Sequence, residues 1–163
     1  MSIQDWAAVG EIVGGVAIII SLVYVGLQIR QNTKALKLGT AHHTTENFSD
    51  WYLVTAENDQ LADIFFRGLQ DIQSLQPVEK FRFFALLHKF FRAYENAYYQ
   101  FRNGALDDDA FEGLTQMMLM IKTTPGIITY WEERKGWYNK KFQLYINDEI
   151  MAADGEEFKL AGS

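Results

Sequence analysis

The chain has 163 residues, a formal charge of −6 and no cysteine. That length fits one compact domain once a membrane segment is set aside, and the lack of cysteine excludes a disulfide framework and thiolate chemistry. Residues 44 to 163 hold nineteen acids and twelve bases, a net of −7; this argues against nucleic acid as a partner, because phosphate binding needs a concentrated basic face.

Residues 12 to 29 read IVGGVAIIISLVYVGLQI, eighteen residues without formal charge in which only Ser21 and Gln28 are clearly polar. A hydrocarbon core of about 30 Å takes roughly 20 apolar residues in a helix, and Trp6, Ala7, Ala8 and Val9 extend the run on its amino side. Trp6 and Tyr24 are amphipathic rings of the kind found near headgroups, and Arg30, Lys34 and Lys37 follow the run as cations able to reach phosphates. Before the run stand Asp5 and Glu11 but neither Lys nor Arg, so the basic n-region and cleavage site of a secretory signal are missing. The alternatives are a signal peptide and the core helix of a soluble protein; the pattern favours a retained anchor over residues 1–30. The basic residues on its carboxyl flank place the amino terminus outside and the remainder in the cytoplasm.

The anchor has a small-residue face. Gly10, Gly14, Ala17 and Ser21 follow one another at steps of 4, 3 and 4, and Gly10 with Gly14 makes a GxxxG, a spacing that lets two membrane helices approach closely. The expected partners are therefore the lipid bilayer and either another membrane protein or a second copy of the chain.

No strong breaker ends the helix at the membrane exit. Leu36, Ala41, Thr44, Phe48, Trp51 and Thr55 keep a helical rhythm, which predicts a helical stalk over residues 31–57 that meets the soluble core near Phe48 and Trp51. Residues 58–150 read as a helical bundle. A short helix carries Leu61, Ile64, Phe65 and Leu69. After a connection at residues 71 to 76, Pro77 suits a first helical position and opens the densest helix, to Asn103. Phe83, Leu87, Phe90, Tyr94, Ala97 and Phe101 form one apolar stripe, and Phe81, Phe84, Phe91 and Tyr98 a second beside it. A helix apolar over this much of its girth belongs in the middle of a bundle. Gly104 is placed for the left-handed position after the helix. Asp107, Asp108 and Asp109 then read as helix-start acids rather than a metal site, with Asp109 and Glu112 at capping-box spacing. A helix to about Lys122 and another from Pro125 follow, the latter ended or bent at Gly136. Beyond Met151 the chain, 151–163, is expected to fray as a flexible tail.

Few groups suggest chemistry. There is no nucleophile elbow, phosphate loop or dinucleotide fingerprint. His88 and Glu95 stand two turns apart on the central helix and are the weak candidates for a metal pair. A carboxylate-bridged metal site needs Glu and Glu-x-x-His residues from facing helices, and here the order is reversed and occurs once. The plainer reading makes His88, Arg92 and Glu95 a polar cluster that fixes helix register. No catalytic residue is assigned and no cofactor is expected.

Three runs, SLVYVGLQIRQNT (Ser21 to Thr33), RAYENAYYQFRNGALD (Arg92 to Asp107) and PGIITYWEERKGWYNKKF (Pro125 to Phe142), together resemble an uncharacterised group of small bacterial proteins with one amino-terminal membrane helix and a helical domain of unknown function. The resemblance implies a bacterial inner-membrane location and brings no catalytic residues. The sequence thus predicts an all-α, single-pass membrane-anchored interaction protein, an accessory or scaffold subunit of a membrane assembly such as an energy-converting complex. The rival from another class is a membrane-tethered enzyme or sensor that binds a metal or an apolar ligand.

Overall fold

The computed structural model describes residues 3–153. Among them there is no strand, and the fold is all-α: one long helix, α1 (Ile3–Ala56), then α2 (Asp59–Gln70), α3 (Pro77–Arg102), α4 (Asp108–Ile121), α5 (Pro125–Arg134) and α6 (Lys140–Tyr145), which widens into π-helical turns at Ile146–Met151. The chain divides into two units between Gly39 and Thr40. In the first, α1 is a single helix long and apolar enough to cross a membrane, and every side chain from Gly10 to Leu36 is exposed.

The second unit is built on α3. Phe83, Leu87, Phe90, Phe91, Tyr94 and Ala97 have no exposed surface, and with Phe84, Leu86, Glu95 and Tyr98 also buried the helix is covered over about half of its girth. The last turns of α1 cover one side with Thr44, Phe48, Trp51 and Thr55, all buried at helical spacing. Phe48 meets Phe90 edge-on at 5.7 Å, and the Trp51 indole N–H donates to the Leu86 carbonyl at 2.9 Å. On other sides Phe91 stacks on Trp131 of α5 and Tyr94 on Phe111 of α4. Such aromatic pairs contribute about 0.5–1.5 kcal/mol each beyond the area they bury. The wet side of α3 is the one marked by Arg82, Lys89, Asn96 and Asn103, all exposed. Phe81 departs from the sequence reading: it belongs to the second apolar stripe but is 74% exposed. It lies in the first turns of α3, where no element among the described residues covers that face.

The helix ends follow local chemistry. The Asn58 side chain accepts from Leu61 N–H and starts α2. Pro77 opens α3, and Gln76 with Glu79 forms a capping box there. Arg67 of α2 donates to Glu79 at 2.9 Å and to Asp63 at 2.8 Å, which ties the connection at 71 to 76 shut; this guanidinium holds the Glu79 carboxyl below the usual carboxylate range. Gly104 takes φ +69°, and Leu106 folds back to 3% exposure while its N–H bonds Gln100 O. The expected Asp109–Glu112 capping box does not form: α4 starts two residues earlier with Asp107 as its cap, which leaves both residues exposed inside the helix. Gly136 lies in a 3-10 turn, Lys135–Trp137, that ends α5, and Asn139 caps α6 through Lys141 N–H.

Two glycines set the α2–α5 contact. A Cβ added to Gly126 would collide with the Gly68 carbonyl, and one added to Gly68 would lie 2.6 Å from the Phe83 ring. Gly126→Ala is expected to lower the unfolding free energy by about 1–3 kcal/mol through overpacking. The matched control Gly113→Ala, in a helix with open space at that position, is expected to be neutral or stabilising by up to about 1 kcal/mol. Circular-dichroism melts of the two variants in the same detergent test this; equal melting temperatures would show that the helices can part without cost.

Candidate functional site

Two regions bear on function, one in each unit. In the first, Gly10, Gly14, Ala17 and Ser21 are exposed, and a Cβ at Gly10 or Gly14 would meet nothing within 4 Å. The two clearly polar residues of the apolar run each make a hydrogen bond inside the helix: Ser21 Oγ donates to Ala17 O at 2.8 Å, and Gln28 donates to the Tyr24 hydroxyl at 2.9 Å. Internal bonds of this kind lower the cost of placing polar side chains in an apolar medium. Arg30 and Lys34 are exposed on the carboxyl side and Lys37 is half-buried. The Trp6 side chain lies outside the described residues, as do residues 154–163 of the expected tail.

In the second unit the structure places His88, Arg92 and Glu95 along one side of α3, facing the turn before α6. Glu95 is 7% exposed, and both its oxygens are engaged: one accepts from Arg92 at 2.6 Å, the other from Asn139 N–H at 2.7 Å. Arg92 also donates to Trp137 O at 3.1 Å and lies over the Tyr138 ring at 5.0 Å. The pair therefore clamps the backbone of the α5–α6 turn onto α3. A carboxylate so engaged is not directed at His88. Among the described residues no three His, Asp or Glu side chains converge as metal ligands.

His88 faces two tyrosines from α5 and the following turn. Its Nδ1 lies 3.3 Å from both the Tyr130 and the Tyr138 hydroxyls, which are themselves 2.6 Å apart. Burial pushes both phenols above their usual range, so they stay protonated. One hydroxyl donates to the other, and the remaining proton goes to Nδ1. The network therefore assigns the His88 proton to Nε2. Burial, with the Arg92 charge adding to it and Glu95 opposing, lowers the His88 pKa from its ordinary 6.5.

Beside His88 a groove of about 420 Å3 opens on the surface, lined by Lys80, Phe81, Phe84, His88, Arg134 and Trp137 among others. The Arg134 guanidinium lies over the Trp137 ring at 4.7 Å and the Phe84 ring at 5.2 Å. Sequence reasoning found His88 but missed Arg134, which looks there like one surface cation among several. It also missed Lys122, which is 3% exposed and donates to Ile150 O at 2.8 Å and to Ala153 O. Acceptors 28 and 31 residues away leave no signal in local periodicity.

No family model matches the chain, and no curated protein or solved structure matches it. The geometry therefore stands by itself.

The histidine network makes a pH prediction. The folded pKa of His88 is depressed, so on acidification the unfolded chain binds the proton first, and stability is lost as pH falls from about 6.5 toward the folded value. His88→Gln keeps an acceptor for the tyrosines but cannot titrate. Thermal melts at pH 7.5 and pH 5 should show the unsubstituted chain losing more stability than the variant; a gap between the two that does not change with pH would rule His88 out as the titrating group.

Proposed function

We propose that this chain is a single-pass protein of a bacterial inner membrane, with its amino terminus outside and the helical unit in the cytoplasm. It works there as an accessory or scaffold subunit that joins a membrane assembly through its anchor. The observation that carries the reading is an eighteen-residue apolar stretch of α1 with none of its side chains buried. Burying a single Val, Leu or Ile gains about 1.5–3 kcal/mol, so a helix of this composition left bare in water is costly, and lipid removes the cost. The internal bonds of Ser21 and Gln28 support the same medium. Orientation rests on Arg30, Lys34 and Lys37, and the bacterial location on the family resemblance.

The packing face is Gly10, Gly14, Ala17 and Ser21. Small side chains there let a second helix come close enough for continuous van der Waals contact, the main driving force between helices in lipid. Because the Ser21 hydroxyl donates its proton within its own helix, this face offers a second helix no free hydroxyl donor and acts chiefly by size.

Gly14→Ile places a branched side chain on that face without changing the length of the apolar run. The expected outcome, measured by native mass spectrometry of complexes extracted in mild detergent from the host, is loss of most of the assembled species, with Ile19→Val as the neutral control. Undiminished assembly in Gly14→Ile would remove the face from the reading. Extraction of the unsubstituted chain as a lone polypeptide would remove the subunit role itself.

A further inference from the structure

The groove beside His88 has the makings of a ligand site that the anchor role does not use. Its wall is made of rings: Phe84, Tyr130 and Trp137, with Phe81 at 74% exposure and Trp137 at 56%. Its volume, about 420 Å3, sits at the small end of the about 300–1,000 Å3 typical of small-molecule pockets, which suits one small guest and not a two-chain lipid. Two cations line it, with different commitments. Lys80 pairs with Glu133 at 3.7 Å, so its charge is balanced. Arg134 is held over two rings, and among the described residues no carboxylate or carbonyl accepts from it. Its neighbour Glu132 is paired with Lys135 instead. The groove therefore carries one uncompensated positive charge set in an aromatic wall. The Nε2–H of His88, assigned by the tyrosine network, adds a neutral donor whose ring partner Nδ1 is already engaged on the inner side.

We propose that this groove binds a small aromatic monocarboxylate, its ring among Phe81, Phe84 and Trp137 and its carboxylate on the Arg134 guanidinium, with His88 Nε2–H as a second donor. Planar bidentate recognition is what a guanidinium offers a carboxylate, and aromatic walls favour a flat guest through offset and edge-on ring contacts. The single unbalanced charge selects a monoanion over a dianion. The site is independent of the anchor and of whatever the anchor binds.

The test uses the full chain in phosphatidylcholine nanodiscs and isothermal titration calorimetry with sodium 2-naphthoate, with empty nanodiscs as the blank. The expected result is saturable binding of one molecule per chain, at least about tenfold weaker binding of the neutral isostere 2-naphthamide, and a similar loss for Arg134→Met, the usual scale of a hydrogen bond to a charged group. Arg134→Lys, which keeps the charge over the rings, should bind more tightly than Arg134→Met. Ala85→Trp, from an exposed helical position that lines the groove, should abolish binding by filling it. Absence of saturable binding, equal affinity for the amide, equal loss in the two Arg134 variants, or unchanged binding in Ala85→Trp would each overturn the proposal.

Discussion

The C-terminal unit depends on the burial of α3 over about half of its circumference. Once Phe83, Leu87, Phe90, Phe91, Tyr94 and Ala97 are removed from water, other elements must supply walls on several sides, and the last turns of α1 together with α2, α4, α5 and α6 supply them. Aromatic burial alone does not fix one arrangement, because rings of similar size can exchange places. The polar atoms carried by those rings do. Trp51 reaches only the Leu86 carbonyl, Tyr94 reaches Tyr145 and Thr115, and Tyr130 reaches Tyr138. A shift of one helix by a turn would leave such groups buried and unpaired, at about 1–3 kcal/mol each. The core is thus apolar in its driving force and polar in its register. Thr44 Oγ1 and the Tyr99 hydroxyl are buried without a partner among the described residues.

The same logic explains which parts were legible from the residues. The ends of α3 are written locally: Pro77 at one end, and Gly104 in the left-handed region with Leu106 folded back at the other. The long helix and the wet side of α3 follow from period and composition. Phe81 was misread because periodicity reports which face could be buried, not whether an element arrives to bury it. Gly68 and Gly126 carry no signal in local periodicity, yet they permit the close approach between α2 and α5. The cap of α4 at Asp107 rather than Asp109 was hidden because three adjacent aspartates are equally good caps, and the choice falls to where Leu106 is anchored.

The polar cluster on α3 shows how much of a group's role lies outside its spacing. His88, Arg92 and Glu95 were identifiable as one group from their spacing. Their spacing could not reveal that Glu95 spends one oxygen on a backbone N–H 44 residues away, or that Arg92 reaches the carbonyl of Trp137. Those two bonds make the cluster a clamp on the α5–α6 turn. That turn in turn carries Tyr138 into contact with His88 and presents Trp137 to the groove, so the clamp sets the geometry of the ring wall without touching anything that would sit in it.

Two arginines in this unit make the final contrast. Arg92 is half of an ion pair, donates to a backbone carbonyl and lies on a tyrosine ring; its hydrogen-bonding capacity is used in holding the fold. Arg134 lies on two rings and meets no acceptor among the described residues. Polar groups withdrawn from water are partnered in the great majority of cases, and this fold obeys that rule even at Lys122, where the ammonium caps the carbonyls of the last turns. Against that background a half-buried guanidinium positioned by ring faces, with its donors still open, is an oriented charge. Stacking keeps the side chain in place at little further entropic cost when an anion arrives, because the rotamer freedom that binding would otherwise remove has already been lost in folding.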